Sequence, residues 1–127
     1  MDTSAAVFAL IALGLLAVFQ LLLAFGAPLG RFAWGGQHQV LPRRLRVGSI
    51  ISIILYAVFA AVIADRADLI DAMPDAVSGV GTWVLAAYFV LGIVMNAMSR
   101  SVHERATMAP VSAVLAAACV LVAFGPS

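Results

Sequence analysis

The chain has 127 residues, 65% of them hydrophobic and 10% charged, with a mean hydropathy of +1.12. Soluble domains carry about 25% charged residues, so this composition excludes a water-soluble globular fold and leaves lipid as the main solvent. The net charge of +1 combines seven basic residues, all arginine, with six acidic ones that are segregated along the chain rather than mixed.

A bilayer core about 30 Å thick needs about 20 apolar residues in a helix that rises 1.5 Å per residue. Four stretches meet or approach that length, at about residues 5–25, 47–64, 82–99 and 109–124. The expected fold class is therefore an all-α membrane protein, a four-transmembrane-helix bundle that forms one domain over the whole chain. The first stretch has Gln20 as its only strongly polar side chain. It lacks the basic flank of a secretory signal and exceeds the usual apolar region of about 7–15 residues, so it is expected to stay as a helix. The last stretch is short, which places its start before Pro110, a residue tolerated in the first turn of a helix. Cys119 sits inside that stretch with no disulfide partner and reads as a small packing residue.

The connecting loops separate by sign. Arg31, Arg43, Arg44 and Arg46 flank the first and Arg100 and Arg105 the third, whereas the second holds Asp65, Asp68, Asp71 and Asp75 with only Arg66. Short arginine-rich loops stay in the cytoplasm. Both termini are thus expected outside, in the inner membrane of a bacterium.

Membrane helices associate through close packing and interhelical hydrogen bonds, which favours small residues at four-residue spacing. The second span offers Gly48, Ser52, Ala60 and Ala64 with Tyr56 between them, the third Gly92 one turn from Asn96, and the fourth Ala109, Ala113 and Ala117 with Ser112 and Ala116 beside them. These faces are expected to meet inside the bundle.

The first loop, about residues 28–42, is long for so small a protein and holds Phe32, Trp34, three glycines and no acid. It reads as an interfacial anchor or as a cap over a pocket facing the cytoplasm. Asn96, Arg100 and Glu104 recur every four residues, which on one continuous helix would stack them into a polar ladder with Ser99 and His103 alongside. Asn96 lies about 6 Å of rise inside Arg100 and is expected to face protein rather than lipid. Convergence of Arg43, Arg44, Arg46 and Arg100 with His38, His103 and Trp34 would form a basic pocket for a phosphate or carboxylate, such as an anionic lipid headgroup. His38, His103 and Glu104 share one side of the membrane, but at no spacing specific for a metal. No catalytic residue, metal site, cofactor motif or nucleic-acid signature emerges, and no acid falls within a predicted span. Across the membrane, Asp65, Asp68 and Asp71 repeat every three residues opposite Leu69, Ile70 and Met73, which predicts a helical extension along the interface with a solvated acidic face, ending at Pro74.

With Gly26-Ala27-Pro28-Leu29-Gly30, Gly35-Gly36, Leu41-Pro42, Arg46, the run Asn96 to Ser101, Glu104-Arg105 and Pro110, the chain resembles a group of small four-span bacterial membrane proteins with no assigned activity. That resemblance implies architecture and no site roles. The expected function is non-enzymatic: an accessory subunit, or a binder of an anionic lipid or related ligand at the basic face. The alternative is a small oligomeric transporter or channel. Expected partners are membrane lipids, anionic ones included, together with further copies of the chain or a larger membrane complex.

Overall fold

The computed structural model describes residues 3–125 and is all-helical over them. Four helices, α1 (Ser4–Ala24), α2 (Arg43–Arg66), α3 (Asp75–Ala97) and α4 (Val102–Phe124), are each long and apolar enough to cross a bilayer. The protein is a multi-pass membrane protein built as a four-helix bundle. α1 packs chiefly on α2 and α3 on α4, and smaller contacts of α1 with α4 and α2 with α3 close the ring. Side chains such as Phe8, Ile11 and Leu15 on α1, Ile50 and Ile54 on α2, and Val80 and Val84 on α3 point outward and exposed. So much exposed apolar surface is stable only against lipid tails.

Each helix end has a local cause. α1 stops where Gly26 takes φ +92 and the amides of Gly26 and Ala27 bond back to the carbonyls of Leu23 and Leu22. α2 stops in the same way, with Asp68 at φ 61 and the amides of Asp68 and Leu69 on the carbonyls of Asp65 and Ala64. The predicted helical extension past Asp65 is therefore absent. A left-handed residue reverses the chain there, and Asp65, expected on a solvated face, is buried with its Oδ1 accepting the amides of Ala72 and Met73 at 2.8 and 3.1 Å. Beside it, Arg66 donates to the carbonyls of Ala123, at 2.8 Å, and Gly125, tying α2 to the last turn of α4.

α3 begins directly after Pro74, earlier than its hydropathy implied, and α2 likewise begins before Val47, with Arg43, Arg44 and Arg46 already in its first turn. α4 starts at a serine cap: Ser101 Oγ accepts the Glu104 amide at 3.2 Å, the first half of a Ser-x-x-Glu capping box. Pro110 consequently lies inside α4 rather than in its first turn. Glu104 is drawn into a helix long enough to span the membrane, correcting the expectation of acid-free spans.

The main core joins Ala6, Ala9 and Leu13 of α1 to Ile63, Leu85, Phe89, Leu115 and Cys119, in the half of the bundle remote from the arginine-rich loops. A smaller cluster of Leu23, Ala33 and Leu41 pins the first loop at the other end. The small-residue stripes are partly as expected. Gly92 lies against Ser112, and Ala64 is buried, but Ala113 and Ala117 face outward while Ser112, Ala116 and Cys119 face inward.

Candidate functional site

The first loop is ordered. It winds through two single-turn 3₁₀ segments, Gly30–Phe32 and Trp34–Gly36, and its two ends meet where the Gly30 amide donates to the Gln39 carbonyl at 2.8 Å. Gly36, at φ +73, lies so close to Ser101 that a Cβ would collide with that side chain, and Ser101 Oγ donates to the Arg31 carbonyl. The Phe32 ring meets His103 at 5.3 Å between centroids. The loop is thus fastened to the start of α4, and it lays Trp34 on Gly48 with the indole N–H directed to Ser49 Oγ at 3.5 Å. A Cβ on Gly48 would stand 2.9 Å from that ring, so the small residue is what admits it.

Beneath this cap, between the two apolar clusters, is a cavity of about 350 Å³. Its roof is Phe32, Ala33 and Trp34, and its walls come from the loop-proximal halves of all four helices. The polar lining is Gln20 on α1, Ser52 and Tyr56 on α2, Asn96 on α3, and Glu104 and Ser112 on α4, set among Phe19, Tyr88 and Phe89. Leu91 and Met95 of α3 both line it and are exposed, so it is reached from the lipid side of that helix. A second recess, of about 610 Å³ between α1 and α4 at the far end, is an apolar groove bordered mostly by alanine, valine, leucine and phenylalanine.

The polar groups of the cavity are unequally satisfied. Asn96 Nδ2 donates to Ser112 Oγ at 2.9 Å and more weakly to the Met108 carbonyl at 3.4 Å, which joins α3 to α4. Gln20 Nε2 donates to the Tyr56 hydroxyl at 3.5 Å, joining α1 to α2, but Gln20 Oε1 is buried with no partner. Glu104 is 8% exposed, and its carboxylate makes no hydrogen bond or ion pair among the described residues.

The structure divides the residues singled out from sequence. Trp34, Asn96 and Glu104 line the cavity. The ladder that was to hold Asn96, Arg100 and Glu104 is broken because α3 ends at Ala97: Arg100 lies in the turn, and Glu104 reaches the cavity from the opposite helix. Arg46 is committed elsewhere, its Nε donating to the Leu41 carbonyl at 2.9 Å and its guanidinium covering Gly26. Arg43, Arg44 and Arg100 are exposed outside the cavity, His103 is exposed beside Phe32, and His38 supplies the carbonyl against which Gly30 packs. None of these basic side chains lines the cavity. His38, His103 and Glu104 do not gather as metal ligands, and no such group exists among the described residues. The lining residues missing from the sequence-derived set are Gln20, Ser52, Tyr56 and Ser112. Polarity inside apolar spans was their signal, and chain distance hid their convergence.

No protein-family model matches the chain, and no curated protein or solved structure is similar to it.

The bond between Asn96 and Ser112 gives one direct expectation. Interhelical side-chain bonds in membranes average about 0.6 kcal/mol and reach about 1.7, so Asn96→Ala should lower stability by about 1 kcal/mol in thermal melts in detergent. Ser112→Ala added to Asn96→Ala should cost little more, since the two share the bond.

Proposed function

We propose that the protein is a non-enzymatic binder of a membrane amphiphile, which it holds in the cavity beneath the first loop. The observation that carries this reading is the cavity itself. Polar side chains from every helix converge within a span where unsatisfied polarity is costly, and an ordered aromatic roof closes over them. A volume of about 350 Å³ suits a headgroup and the first part of a chain, and exposed Leu91 and Met95 offer the tail a route into the bilayer.

The arginine-rich loops support, through the positive-inside rule, an orientation with this end in the cytoplasm and both termini outside a bacterial inner membrane. Exposed Arg43, Arg44 and Arg100 around the cavity end suit anionic headgroups as annular lipids rather than as the bound ligand. A channel within one chain is disfavoured, because Leu13, Leu85 and Cys119 belong to the packed core beyond the cavity.

Native mass spectrometry of protein gently extracted from its host membrane tests the reading. Wild type should retain a lipid-sized adduct. Ser52→Phe, which fills the cavity and forfeits only a bond from Ser52 Oγ to the Gly48 carbonyl of its own helix, should lose the adduct while keeping its helicity. An adduct equally abundant in both proteins, or none in wild type, would remove the proposal.

A further inference from the structure

The charge in the lining of the cavity is of one sign, that of Glu104. Two acceptor-bearing side chains line it: Gln20, whose Oε1 is buried without a partner, and Glu104, 8% exposed, whose carboxylate forms no ion pair among the described residues. The amide donors nearby are already used, with Gln20 Nε2 on Tyr56 and Asn96 Nδ2 on Ser112, and no arginine or histidine lines the space. The positive charges at this end of the molecule all lie outside the cavity, so Glu104 has no internal counter-charge there.

We infer that the ligand head is an N–H-bearing ammonium group carried on an alkyl chain, held by the Glu104 carboxylate and Gln20 Oε1 under the rings of Phe32 and Trp34. This deepens the amphiphile-binding reading and rests on it. A carboxylate that lines a largely apolar cavity with no basic side chain in the same lining favours a cation. The orphan amide oxygen demands a hydrogen-bond donor, which separates a primary or secondary ammonium from a quaternary one. Aromatic faces around the head add cation–π attraction. The same chemistry is offered by a single-chain amine and by the ethanolamine head of a phospholipid.

The test uses the full chain in phosphatidylcholine nanodiscs with Trp83→Phe, which leaves Trp34 in the cavity roof as the reporting indole. Dodecylammonium should shift Trp34 emission saturably and bind more tightly than dodecyltrimethylammonium, and dodecyl sulfate should give no saturable shift. Glu104→Gln keeps the shape and the capping amide of residue 104, and should weaken dodecylammonium about tenfold or more. Gln20→Leu should weaken dodecylammonium several-fold and leave dodecyltrimethylammonium unchanged, because the quaternary head has no N–H to donate. Nanodiscs doped with phosphatidylethanolamine identify the source: competition with dodecylammonium indicates the lipid headgroup, and its absence a single-chain amine. Equal binding of dodecyl sulfate and dodecylammonium, or affinity unchanged in Glu104→Gln, would overturn the ammonium assignment while leaving an amphiphile site. If none of the three probes shifts Trp34 saturably, the amphiphile reading falls with it.

Discussion

Gly30→Ala should destabilise the arginine-rich end by about 2–4 kcal/mol while leaving the four helices intact. A Cβ at this buried position would run into the His38 carbonyl oxygen and stand 2.8 Å from that of Gln39. Both obstacles are backbone, so no side-chain rotation relieves them. The loop must open, which sacrifices the Gly30 to Gln39 hydrogen bond and loosens the packing of Ala33 and Leu41 on Leu23. Overpacking costs about 1–3 kcal/mol and a lost hydrogen bond about 1 more. Circular dichroism should show unchanged helicity, thermal melting should show the loss, and thermolysin should cut between Gly30 and Pro42 far faster than in wild type. Gly14→Ala is the matched control: a Cβ there meets nothing within 4 Å, so the change should be neutral or slightly stabilising.

At the opposite end, Asp65→Ala should lower the melting temperature by more than any other substitution among the acidic residues of the connection. Asp65 is 3% exposed, and its Oδ1 receives two amides from the connection between α2 and α3. Hydrogen bonds to a charged acceptor are stronger than those between neutral groups, and alanine offers those amides nothing in return. Asp65→Asn keeps one acceptor oxygen and should lose about half as much. Asp68, Asp71 and Asp75 are exposed, so asparagine at Asp71 or Asp75 should change the melting stability by no more than about 0.5 kcal/mol. A uniform response across the acidic residues would mean that the connection acts only through its total charge.

That contrast shows where sequence reading succeeds and where it stops. Four apolar runs reveal four spans because solvation by lipid is additive along the chain and needs no knowledge of partners. Polar positions within spans, such as Gln20, Tyr56 and Asn96, are equally legible as residues that must face protein. Their meeting place is not, since it depends on which helix neighbours which. Periodicity misled at Asn96, Arg100 and Glu104 because three residues at four-residue spacing look the same whether or not a turn intervenes. The signal for that turn was present in Ser101-Val102-His103-Glu104, a capping box that starts a new helix. Asp65 misled in a similar way: its spacing with Asp68 and Asp71 concealed that one of three acids turns inward to hold a connection.

The fastening of the first loop to Ser101 and of Arg66 to Ala123 bears on how the molecule is assembled. The heaviest packing falls within α1 with α2 and within α3 with α4, each pair contiguous in the chain. Each pair is thus a helical hairpin that holds most of its interface within itself. The two polar fastenings join one hairpin to the other and lie at opposite water-facing ends, where unpaired groups are still hydrated. The cavity's polar lining is therefore complete only when the two hairpins are docked, since Gln20 belongs to one and Glu104 to the other.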